Sequence, residues 1–157
     1  MTDQDVSRLS DLLAESYAST ISIVESIGYD MPIYDEPLWR ARDVIWHLAV
    51  WDRQVTRSIE AFLADGQYSI PDFDEHAFND ASLEEGRQLS LDQLLEGAAK
   101  ARKNFQEAVE RFSPHQLQAE FLYPWGDETG DIDKIVHYMV DHDEEHRQEL
   151  TGAQHKE

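Results

Sequence analysis

Four stretches of the chain repeat apolar residues at steps of three and four, the spacing that gathers side chains on one face of a helix. The first runs from about Asp3 to Ile27, with Val6, Leu9, Leu13, Tyr17, Ile21 and Val24 on its stripe and Gly28 placed to end it. Pro32 and Pro37 break any helix in the connector that follows. The second stretch runs from about Ala41 to Ala64, carries Val44, Leu48, Trp51, Val55, Ile59 and Phe62, and stops at Gly66. The third opens on Ser90-Leu91-Asp92-Gln93, a capping box in which Ser90 and Gln93 each satisfy a free backbone donor. Its stripe is Leu91, Leu94, Leu95, Ala98, Phe105, Ala108, Val109 and Phe112. The fourth runs from about Asp131 to Leu150, and its inward positions are Ile132, Ile135, Met139, His142, His146 and Leu150.

The intervals between these stretches lack that rhythm. Residues 67 to about 81 hold Pro71, several acids and few periodic apolar positions, which predicts a long loop placed to cover a site. Ser113-Pro114 predicts a short extra turn with proline at its first position. Tyr123-Pro124-Trp125-Gly126 is an aromatic loop leading into the last stretch. No alternating pattern of any length competes with the helical one. The expectation is an all-α fold, an antiparallel four-helix bundle, formed by one domain over residues 1–157 with its core at about 3–151.

Charge and composition narrow the partners. Thirteen basic and 33 acidic residues give a net charge of -20, which opposes binding to nucleic-acid phosphates and to anionic membrane surfaces. The amino terminus shows no basic segment followed by an apolar one, and no apolar run approaches the ~18 residues of a membrane span. A cytoplasmic location is the expectation. Cysteine is absent, so disulfides, thiolate metal sites and a cysteine nucleophile are all excluded.

Histidine is where the chemistry concentrates. His142 and His146 are four residues apart and in register with the apolar stripe, so they share one helix face that points inward. Imidazoles there must be hydrogen-bonded, open to a cavity or bound to a cation. His47 lies between Val44 and Trp51 on the second stripe and points the same way. If the second and fourth helices face each other, three imidazoles converge, a ligand set suited to zinc, nickel, cobalt or iron with positions left open for water or substrate. The remaining histidines fit other roles: His137 off the stripe and near Asp141, His76 in the acidic loop, His115 near a helix start and His155 in the tail. Among the flanking acids, Asp141, Asp143, Glu144 and Glu145, the two nearest the inward face are Asp141 and Glu145. Each is a candidate for holding a ligand histidine or serving as general base. Trp51, one turn after His47, and Trp125 are candidates for a ligand pocket, with Tyr123 at its mouth.

Two of these segments resemble motifs of a known family. Trp39-Arg40-Ala41-Arg42-Asp43-Val44-Ile45-Trp46-His47-Leu48-Ala49-Val50-Trp51 resembles the second-helix motif of the DinB/YfiT-like superfamily. His142-Asp143-Glu144-Glu145-His146-Arg147 resembles its fourth-helix motif. The loop from Phe73 to Phe78-Asn79, and Tyr123-Pro124-Trp125-Gly126, are similar to a branch near the ClbS-like proteins. Together the likeness spans roughly residues 5–150. It implies a bundle with up-down-down-up connectivity, a divalent metal on His47, His142 and His146, and frequent homodimers. Family activities include thiol-dependent transfer and isomerisation as well as metal-dependent hydrolysis. ClbS-like relatives often lack the full histidine triad, and this chain keeps it.

The functional expectation is therefore a divalent-metal-dependent enzyme acting on a small molecule, either a hydrolase or a transferase. Transfer would need an external low-molecular-weight thiol, because the chain has no cysteine. The alternative is a protein on the same bundle that binds or sequesters a small molecule without catalysis.

Overall fold

The structure, a computed structural model, describes residues 3–154, with side chains described from Gln4 to Ala153. The four periodic stretches are helices: α1 Asp3–Ile27, α2 Ala41–Leu63, α4 Leu91–Glu110 and α5 Ile132–Gln154. Their ends follow the signals in the sequence. Gly28 takes φ +100° and its N–H reaches back to the Val24 carbonyl at 2.8 Å, closing α1. The Ser90–Gln93 box forms, with bonds of 3.0 and 3.1 Å, and Pro114–Gln116 make a single 3₁₀ turn.

One sequence expectation fails. The interval around residues 67–81 is not wholly a loop, because Glu75–Arg87 form a helix, α3. Asp74 caps it, accepting from the Ala77 N–H at 2.9 Å. Its inner face is Phe78, Ser82, Leu83 and Gly86, so small side chains stand where an apolar stripe would have shown. Their smallness is the reason α3 can lie close to α2: a Cβ on Gly86 would fall 2.4 Å from Trp46 Cδ1. The connectors are also more ordered than the sequence suggests. β1 (Pro32–Asp35) and β2 (Leu38–Arg40) pair as one short hairpin, and β3 (Phe121–Leu122) and β4 (Thr129–Gly130) as another.

Helix directions follow from which residues share a core. One buried cluster joins Val6, Leu9 and Leu13 of α1 to the end of α2 (Val55, Ile59), the end of α4 (Phe105, Val109) and the start of α5 (Ile132, Ile135). A second joins Val24 of α1 to the start of α2 (Val44, Leu48), the start of α4 (Leu94, Ala98) and the end of α5 (Leu150). Hence α1 and α5 run one way and α2 and α4 the other, an up-down-down-up four-helix bundle. In it α2 lies along α4, and α4 and α5 flank α1. No helix is long and apolar enough to cross a membrane among the described residues.

Between the two clusters sits a charged centre that touches all four bundle helices. Arg102 of α4 is 2% exposed, Asp52 of α2 1% and Asp143 of α5 0%. Arg102 Nε and Nη2 donate to Asp52 at 2.9 and 3.0 Å, and Nη1 and Nη2 donate to Asp143 at 2.9 and 3.1 Å. Arg102 Nη1 also donates to the Leu13 carbonyl of α1 at 3.0 Å, and Ser16 Oγ donates to Asp143 at 2.7 Å. Burial opposes the guanidinium charge, but the two carboxylates outweigh it and raise the Arg102 pKa. Burial also pushes the Asp52 carboxyl up to about 6 against the pull of Arg102.

A centre of this kind is costly to break from one side. Replacing Arg102→Leu leaves two carboxylates in the core without their cation, and the expected loss is about 3–5 kcal/mol of unfolding free energy. Urea denaturation checks this; a loss under about 1 kcal/mol would show that the centre does not tie the bundle together.

Candidate metal centre

The second helix is buried on every side from Asp43 to Asp52, and His47 falls within that run at 7% exposure. On α5, Ile135 and Met139 anchor the same face below His142, and Leu150 anchors it above His146. The two histidines therefore lean out of the core edge toward α2. The three Nε2 atoms meet: His47 Nε2 is 3.3 Å from His142 Nε2, which is 3.2 Å from His146 Nε2. All three offer a ligand atom within 4.8 Å of one another, the arrangement expected from the sequence.

The protonation chemistry suits a cation. Burial pushes the His47 pKa down to about 2, helped by the neighbouring imidazoles. Burial, then His146, lowers His142 to about 4, and burial lowers His146 as well. Three neutral rings result. His146 Nδ1 lies 2.8 Å from Glu149 Oε1, a close but bent contact that favours the proton on Nδ1 and leaves a lone pair on Nε2. His142 Nε2 has one hydrogen at most and two nitrogen neighbours, so the cluster holds more acceptors than donors. A divalent cation resolves that imbalance, and the residues present fit one.

A cavity of about 660 Å³ opens on the triad. Tyr34 and Trp39, stacked edge to face at 5.6 Å, bring the β1–β2 hairpin to one side. Trp51, Phe73 and Trp125 line another side, with Trp51 held by a 3.1 Å bond from its Nε1 to Asn79 Oδ1 of α3. Trp125 Nε1 donates to Glu128 at 2.9 Å.

Not every candidate reaches the cavity. Glu145 lines it, whereas Asp141 is exposed outside the lining. Tyr123 is fully buried, donates to the Asp131 carbonyl at 2.6 Å and packs behind Trp125 rather than forming the mouth. His137 is exposed and sits 2.8 Å from the Asp133 carbonyl, not on Asp141. His76 and His115 are exposed, on α3 and the 3₁₀ turn, and His155 lies outside the described residues.

Three acids were hidden from sequence reasoning. Asp143 stands among charged neighbours and reads as solvated surface, yet it is the partner of Arg102. Asp52, on the far side of the Trp51 turn, is the other partner. Glu149 follows His146 by three residues, the one spacing that could have flagged it, and accepts from the Tyr34 hydroxyl as well as facing His146. Arg147, the residue after the second histidine, reaches away from the cavity. Its guanidinium donates to the Ser16 carbonyl at 2.9 Å and to Glu144 at 2.7 Å, locking α5 to α1.

Comparison with solved structures gives a match to YfiT from Bacillus subtilis, described as a probable metal-dependent hydrolase with an unusual four-helix bundle topology. The two share 18% sequence identity with a TM-score of 0.74, over 98% of this chain and 87% of that one. This likeness shows the fold. No curated protein matches the sequence. The family model for the DinB superfamily matches residues 5–150, nearly the whole chain, and the protein therefore belongs to the DinB superfamily.

Proposed function

We propose that this protein is a divalent-metal-dependent hydrolase of a small molecule, with the metal held by Nε2 of His47, His142 and His146. The observation that carries the reading is the meeting of three neutral imidazoles on a cavity of about 660 Å³. That volume suits a small-molecule substrate. The description of YfiT as a probable metal-dependent hydrolase, on the same fold, supports the reaction class. When bound, a divalent cation supplies Lewis acidity that polarises a substrate carbonyl or lowers the pKa of water.

The chain's own residues supply the rest. Glu149, 2.8 Å from His146 Nδ1, favours the proton on that nitrogen and so leaves Nε2 free as a ligand atom. Tyr34 in turn fixes Glu149 from the hairpin. Glu145 is the proton acceptor in this reading, being the one of the two candidate bases that lines the cavity. The aromatic walls exclude water around the reacting atoms.

Purified protein is expected to hold about one divalent metal per chain, and His47→Ala to lose most of it by elemental analysis while keeping its helical circular dichroism. Hydrolysis of a panel of small esters, amides and lactones should follow the metal, disappearing on chelation. Full metal content in the His47 variant would refute the triad.

The sign of the pH dependence follows from the depressed imidazoles. The unfolded histidines take up protons near 6.5, but the folded ones resist until far lower, near 4 for His142. Stability and metal retention are thus complete above pH 6.5 and fall away as pH drops below it. Melting temperature measured with metal present should decline steadily between about pH 7 and 5. A flat profile over that range would contradict neutral, metal-binding imidazoles.

A further inference from the structure

We infer that the cavity selects a substrate carrying an organic cation, an ammonium group on an apolar body. The inference rests on the reading of this cavity as the substrate site. Two independent features of the lining point the same way. The first is charge: three carboxylates, Glu75, Glu145 and Glu149, line the cavity, and among the described residues no lysine or arginine does. Glu149 is engaged by Tyr34 and His146, but neither Glu75 nor Glu145 has an ion pair or a side-chain hydrogen bond among the described residues. Two carboxylates without a partner therefore stand at the exposed rim of a concave space, where like charges together raise the local concentration of cations.

The second feature is aromatic. Trp51, Phe73, Trp125 and Tyr138 form a connected wall, with Trp51 and Trp125 centroids 6.3 Å apart, Trp51 and Phe73 5.7 Å, and Trp125 and Tyr138 6.1 Å. Their mutual angles of 57°, 88° and 58° prevent a closed stack and leave ring faces turned in different directions. Ring faces carry the negative lobe of the quadrupole, and several of them around one space attract an alkylammonium group while shielding its apolar body.

The metal does not reverse this preference. Three neutral imidazoles add no charge, so a divalent cation offsets two of the three lining carboxylates and the cavity remains negative. A carboxylate-bearing guest, including an anionic low-molecular-weight thiol, meets repulsion from Glu75 and Glu145, and among the described residues no basic side chain lines the cavity, which leaves the metal as its counter-charge. A cationic guest pairs with these carboxylates when its ammonium group sits at their end of the cavity, away from the metal. Its electron-rich end is free to approach the triad while its ammonium group sits against the rings and carboxylates.

The test uses two probes on zinc-loaded protein, benzyltrimethylammonium and benzyl alcohol, followed by isothermal titration calorimetry. Benzyltrimethylammonium is expected to bind about tenfold more tightly than the neutral alcohol. Glu75→Gln, on an exposed position that does not support the core, should weaken the cation about two- to threefold and leave the alcohol unchanged. Benzyl alcohol binding as tightly as the cation, or a cation affinity unmoved by Glu75→Gln, would overturn the proposal. The metal reading fails separately: protein that takes up no zinc but still prefers the cation in this way refutes the hydrolase and leaves the cation site standing.

Discussion

Everything in this bundle is organised around one buried guanidinium. Arg102 reaches from α4 to Asp52 on α2, to Asp143 on α5 and to the Leu13 carbonyl on α1, so a single side chain fixes the spacing of four helices. Apolar packing alone tolerates small rotations and slips, because Leu and Val stripes offer many near-equivalent fits. A buried ion centre does not, because every displaced hydrogen bond exposes a charge to a medium that cannot solvate it. It also lies beside the histidines in sequence. Asp143 follows His142 directly and Asp52 comes five residues after His47. Fixing those carboxylates fixes the rotation of α2 and α5 relative to each other, and that rotation decides whether the imidazoles meet.

The electrostatics divide the interior into two regions with opposite tasks. Around Arg102 the charges are paired and satisfied, and their role is to set geometry. The imidazoles of the triad are neutral and rich in acceptors, and carboxylates line the cavity beside them. Burial strips the protons from the imidazoles, and Glu149 orients His146. The net charge of -20 fits this division. Acidic residues dominate the surface near α5, where residues 131–149 hold seven acids and two bases, so cations are concentrated near the cavity without being needed inside the core.

Most of the bundle was legible in the sequence because its helices have long apolar stripes. The limits of α2 and the capping box of α4 fall where periodicity and local hydrogen-bonding chemistry place them. The triad was legible for the same reason: each histidine occupies a stripe position, so its direction could be read from its neighbours. α3 was not, because its buried face is made by Ser82 and Gly86, whose value is their small size against Trp46. The ion centre was hidden by a related ambiguity. Asp143 sits in an Asp-Glu-Glu run that looks solvated, and only the fold shows that one of those acids turns inward. Asp141 and Tyr123 were misplaced relative to the cavity because both flank it in sequence, whereas the helix rotation leaves the first in solvent and the β3–β4 hairpin seats the second in the core.

The central claim is that three helix-borne imidazoles form a single metal site. Crystals of the metal-loaded protein, measured on both sides of the absorption edge of the metal found by elemental analysis, test it most directly. The account predicts one anomalous peak per chain, bonded to Nε2 of His47, His142 and His146 together. A peak elsewhere, or one in which any of the three rings turns away, would contradict it.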